Sequence, residues 1–277
     1  MMTTAMACGS CGAENGHFYD CPIGGLQQPM VASAPVRLES DGGDELERAL
    51  LFALPIALVA MFLINLTDFG GALVRIVFAM WLHESGHTLA AWFCGSFAVP
   101  LPWVTMGGNE RSVVFIALEL AVLGFWGFKR RDHLKFIIPL GVALLVGLVL
   151  SPNAMGALVV FSGDGGALVL GTLFMASVFL PSTVRLARGG LRWGFLVIGA
   201  GSFANVFVQW WRAWRDPAEI PFGRIEGVGL SDPTRLVEKH GWSEHRVVMS
   251  YLVLGGLCLL ALAALWAWRF FAQRRGA

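Results

Sequence analysis

The stretch "FAMWLHESGHTLAAWF", residues 78–93, places His83, Glu84 and His87 in the middle of an otherwise apolar run. Read as a helix, the run puts His83 and His87, four residues apart, on one face, with Glu84 about 100° round the axis beside them. Ionisable groups at the centre of a bilayer cost on the order of 2.5–3.5 kcal/mol each for Asp, Lys or Arg, and they rarely persist there without a role. The surroundings decide whether the run is in fact a membrane helix.

Across the 277 residues, 56% are hydrophobic and only 14% charged, too few to coat a soluble globule of this size. The mean hydropathy is +0.65. Apolar runs near the roughly 20 residues that cross a bilayer recur at Ala49–Leu66, Leu73–Phe93, Val113–Phe128, Phe136–Leu150, Ala157–Leu180 (interrupted), Leu191–Trp211 and Val247–Phe271. The expected fold class is all-α: a polytopic helical membrane protein with about seven transmembrane helices, give or take one.

Its expected organisation is a polar, loosely ordered tail over 1–47, a membrane core over 48–211, an extramembrane loop over 212–246, and a last membrane helix with a basic tail over 247–277. No secretory signal is visible, since an acidic stretch precedes the first apolar run. A net charge of +1 points to no nucleic-acid partner. Basic connections at Lys129–Lys135, at Arg185, Arg188 and Arg192, and at Arg269, Arg274 and Arg275 place the C-terminus in the cytoplasm. Extrapolated further, the same count puts the N-terminal tail outside. In that tail, Cys8, Cys11, His17 and Cys21 leave open a small zinc knuckle, although thin apolar content fits a flexible tail better. Cys94 and Cys258 read as small core residues.

Two imidazoles at i and i+4 can ligate one zinc ion, and the glutamate between them can take a proton from water and deliver it to a leaving amine. His83-Glu84-x-x-His87 therefore combines a metal pair and a general base in five residues. Catalytic zinc usually takes a third protein ligand. From the residues alone, two carboxylates compete for that place. Asp164 lies in "SGDGG" (162–166), where glycines permit close approach and unwound chain can line a cavity, although Asp-Gly is also a common turn. Glu119 lies in the apolar "VVFIALELAVLGF", as a ligand or as a neutral acid bonded between helices. Asn205 and Gln209 read as helix cross-links, and His133, His240 and His245 as residues of solvated edges and loops.

"HESGHTLAAWFCGSFAVPLPWVTMGG" (83–108) resembles the signature of the site-2 protease family of intramembrane zinc metallopeptidases, and the resemblance returns at "FSGDGGALVLG" (161–171). It covers about a fifth of the chain closely. It implies a zinc endopeptidase acting on transmembrane or membrane-inserted peptides, with Glu84 as catalytic base, His83 and His87 as metal ligands, and Asp164 as the third ligand opening a later helix. It also implies that "VPLPWVTMGG" (99–108) forms a re-entrant β-hairpin whose edge pairs with extended substrate. The proline-rich lead-in of the family is missing before Asp164, and the charge-derived topology runs that helix antiparallel to the His83 helix, where the family has them parallel. Two other classes stay open: a membrane metalloprotease of another clan that uses Glu119, and a transporter or inactive relative that binds an ion or proton without catalysis.

Overall fold

The computed structural model describes residues 41–108, 110–181, 183–185, 189–225 and 229–276, without the side chains of 41–48, 225 and 276. Cys8, Cys11, His17 and Cys21 therefore lie outside the described residues. The chain divides into two units, Met1–Leu46 and Glu47–Ala277, and apart from the start of the first helix the second carries everything below.

Helix α1 (Asp41–Asn65) begins earlier than expected, inside the acidic stretch assigned to the tail, and its apolar part runs over Ala49–Asn65. Thr67 caps α2 (Asp68–Val74) by accepting the Gly70 N–H at 3.1 Å. α2 passes through a π turn at Arg75–Ala79 into α3 (Met80–Phe93). The helical backbone is thus unbroken from 68 to 93, about 39 Å at 1.5 Å per residue. It stops at Gly95, whose φ of 74° no β-carbon-bearing residue adopts cheaply.

The expected hairpin is present as β1 (Ala98–Leu101) paired antiparallel with β2 (Val104–Gly107), in the register Ala98↔Gly107 to Leu101↔Val104. Proline at 100 and 102 bars helix, Trp103 turns the chain at φ 67°, and Gly107 and Gly108 leave the strand with positive φ.

Helices α4 (Val113–Lys129) and α5 (Leu134–Val149) follow, then α6 (Pro152–Ala176), capped by the Ser151 hydroxyl. Ser162–Gly166 does not interrupt α6 or unwind it, and Asp164 sits in mid-helix rather than at a helix start. Each glycine weakens the helix by roughly 1 kcal/mol relative to alanine, and here close packing offsets that cost. A Cβ on Gly86 would collide with the Ser162 carbonyl, and one on Gly166 with the Gly86 Cα, so α3 and α6 cross backbone to backbone. Helix α7 (Leu191–Arg215), strands β3 (Arg224–Ile225) and β4 (Gly229–Leu230), helix α8 (Asp232–Glu238) and the long α9 (Glu244–Gly276) complete the chain. Gly171 and Gly199 make the same kind of close approach between α6 and α7.

Among the described residues, four helical segments are long and apolar enough to cross a membrane: Arg131–Val149, Pro152–Phe179, Leu191–Arg215 and Glu244–Arg275. Trp210, Tyr251, Phe203, Leu168 and Met175, from α6, α7 and α9, are the largest fully buried side chains. Around them the surface is apolar: Phe69, Val113 and Val149 are each 81% exposed and Phe128 78%, as suits helices that meet lipid. Polar cross-links hold the inner helices. Asn205 Nδ2 donates to Asn65 Oδ1 (2.8 Å) and to the Gly71 carbonyl (2.9 Å), and Arg75 Nη1 donates to Gln209 Oε1 (3.0 Å).

Candidate metal centre

His83 and His87 project from the same face of α3 and are both buried. Their Nε2 atoms lie 3.1 Å apart. Their Nδ1 atoms point away and are each held by an acceptor. His87 Nδ1 lies 2.7 Å from the Val159 carbonyl, and His83 Nδ1 2.9 Å from Asp164 Oδ1. A backbone carbonyl and a carboxylate both accept, so both imidazoles carry hydrogen on Nδ1, and a neutral ring then presents its lone pair at Nε2.

The carboxylate that meets those lone pairs is Asp232, the first residue of α8. Its Oδ2 lies 3.1 Å from His83 Nε2 and 3.0 Å from His87 Nε2. Three electron-rich atoms thus form a nearly equilateral triangle with edges of 3.0–3.1 Å. Such close approach calls for either protons on the rings or a metal cation among the three atoms. Donors on bonds of 2.0–2.1 Å in tetrahedral array stand about 3.3 Å apart, close to these edges. His83, His87 and Asp232 could therefore hold a metal ion.

Asp164, expected as the third ligand, is bonded elsewhere. Oδ1 accepts from His83 and Oδ2 accepts from Trp210 Nε1 at 2.9 Å, so both oxygens are committed away from the Nε2 pair. The reason lies in the unbroken helix: Asp164 leaves α6 beside the His83 ring, and Gly163 is the residue directly against the two imidazoles. A Cβ there would stand 2.6 Å from His83 Cε1 and 2.6 Å from His87 Nε2. From His83 to His87, one turn forward on α3, the partners on α6 step from Asp164 back to Val159. The two helices thus run in opposite senses across the site. This agrees with the charge-derived topology and departs from the arrangement implied by the resemblance.

Glu84 is buried, and its carboxylate is tied to the hairpin, Oε2 accepting from Thr105 Oγ1 at 2.7 Å. The Thr105 hydroxyl also lies 3.0 Å from the Glu84 carbonyl. β2 thus fixes the residue between the two histidines. Glu119 stays apart on α4: it belongs to no group of ligand atoms close enough for a metal among the described residues, and its Oε2 is buried without a partner. Asn205 and Gln209 cross-link helices as expected. His240 is less solvated than expected: its Nδ1 lies 2.8 Å from Asn153 Oδ1. Burial, with Arg235 and Lys239 nearby, lowers its pKa.

Asp232 was not singled out from the sequence. It sits in "GLSDPTRL" (229–236), within a connection of mixed charge, where an aspartate before proline reads as an ordinary helix start. No fixed spacing relates it to His83, and only the fold brings the two together. No protein-family model, curated protein or solved structure matches the chain, so the geometry of this centre stands without a relative to name it.

Proposed function

We propose that the chain is a multi-pass membrane zinc endopeptidase of the site-2 protease kind, cleaving transmembrane or membrane-inserted peptides. The observation that carries this reading is the pair of Nε2 lone pairs converging at 3.1 Å on one turn of α3, with a carboxylic acid between them in sequence. Zinc suits the donor set, two imidazoles and a carboxylate oxygen, better than magnesium or calcium, which prefer oxygen throughout. Bound there, it would supply a Lewis acid that polarises the scissile carbonyl and acidifies water.

The chain's own residues do the rest. His83 and His87 hold the ion by Nε2, with their tautomers set by Asp164 and Val159. Glu84 takes the proton of the attacking water as the new C–O bond forms, and passes it to the leaving nitrogen as the peptide C–N bond breaks. Thr105 holds that carboxylate in place until substrate arrives. A peptide bond within a regular helix is shielded by its own hydrogen bonds. The β1–β2 hairpin offers edges on which unwound substrate can add as a strand, and it enters the membrane for that purpose. The shorter apolar helices α1 and α4, and the continuous run 68–93, join the four long ones to make about seven spans, with the basic C-terminus in the cytoplasm.

The test is cleavage of a helical membrane peptide by the purified, zinc-loaded chain beside its Glu84→Gln variant. The reading expects equal zinc in both and a loss of about 10²–10⁴-fold in cleavage for the variant. Undiminished cleavage by Glu84→Gln would remove it. A non-catalytic ion carrier is the second reading, favoured by the polar network of Arg75, Gln209, Asn205 and Asn65 inside the bundle, and it expects no cleavage by either protein.

A further inference from the structure

Resting on the zinc reading above, we infer that Asp232 is the third metal ligand, and that Asp164 with Trp210 forms an outer arm that only orients His83. The metal is then fastened on one side by a buried helix of the bundle and on the other by the α7–α9 connection.

Three observations carry this. Asp232 Oδ2 is equidistant, within 0.1 Å, from the two Nε2 atoms, as in a regular tetrahedral array of ligands about one ion. Both Asp164 oxygens are already taken, by His83 Nδ1 and Trp210 Nε1. Turning one to the metal would strip the His83 ring of its anchor or leave the buried indole N–H without an acceptor. Finally, the connection is built to deliver Asp232. Leu236 is fully buried and Thr234 nearly so, Thr234 Oγ1 accepts the Gly223 N–H at 2.9 Å, and Trp242 packs on Phe161 of α6 at 5.8 Å. The outer arm is equally fixed. Trp210 is fully buried, with its ring stacked 4.3 Å from Tyr251, which stacks in turn 4.5 Å from Phe161.

The two carboxylates separate by cobalt substitution in the purified full-length chain. A thiolate bound to Co²⁺ gives an intense charge-transfer absorption in the near ultraviolet that an unligated thiol does not. With one equivalent of Co²⁺, and the wild-type spectrum subtracted to remove the native cysteines, Asp232→Cys is expected to show that band and Asp164→Cys is not. Should a cysteine fail to fold at either place, the amide variants decide. Asp164→Asn is expected to weaken metal binding by about 10–100-fold, as outer carboxylates do, and Asp232→Asn by more. A band from Asp164→Cys alone, or the reverse order of the amide variants, overturns the assignment while leaving the zinc peptidase reading intact. A wild-type chain that binds no cobalt overturns both.

Discussion

Two apolar helices of this chain each carry a carboxylate, and they treat it in opposite ways. On α6, Asp164 is buried with both oxygens bonded, in a helix pressed backbone to backbone against α3. On α4, Glu119 has a buried oxygen with no partner, in a helix with no buried residues. Their sequence contexts differ: Asp164 stands among glycines in "SGDGG" and Glu119 among aliphatic residues. What separates them is the neighbour. Gly163 and Gly166 strip α6 of side chains on the face that α3 approaches, and the polar groups of two helices then satisfy each other. On α4 the glycines meet no other backbone: a Cβ on Gly124 would touch nothing within 4 Å, and one on Gly127 only the side chains of Leu134 and Ile137. A close backbone crossing surrounds one carboxylate with partners and its absence leaves the other without them.

The sharpest way to break this contrast is at the crossing itself. Gly86→Leu or Gly166→Leu must push two backbones apart and is expected to abolish folding, whereas Gly124→Leu and Gly141→Leu, with nothing within 4 Å of the added Cβ, leave the protein intact. Detergent-solubilised yield and thermal unfolding read the difference. Next in size is Gly163→Ala, whose methyl would stand 2.6 Å from both rings. It is expected to fold but to lose metal affinity by at least about 10–100-fold, measured by competition with a chelating dye. Trp210→Phe removes one of the two bonds on Asp164 while keeping the stack on Tyr251. It is expected to weaken metal binding about tenfold, short of the effect of Asp164→Asn. Smallest of all is Glu119→Gln. A group without a partner has little to lose, and metal content and cleavage are expected to stay at the wild-type level; loss of metal there would return Glu119 to the ligand set.

The legible part of the molecule was the part set by local rules. His83, Glu84 and His87 announce their shared turn by spacing, and the hairpin follows from Pro100, Pro102 and the paired glycines 107 and 108. The apolar runs foretold helices, four of them long enough to span a bilayer. One reading failed and one residue went unnoticed, for a common reason. "SGDGG" looked like an unwound turn because glycine and aspartate favour turns in isolation, yet packing against Gly86 keeps it helical. Asp232 drew no reading of its own because a contact across 145 residues leaves no local mark. Tertiary contact decided both places, and both lie at the candidate metal centre.

The most direct measurement is the metal content of the purified chain, compared among wild type, Glu84→Gln and His87→Ala by mass spectrometry of the bound ions. Using His87→Ala as the reference removes any metal held by Cys8, Cys11, His17 and Cys21. The account predicts one more zinc per chain in wild type and Glu84→Gln than in His87→Ala. Equal zinc in all three would mean that the paired imidazoles of α3 hold no ion, and would contradict it.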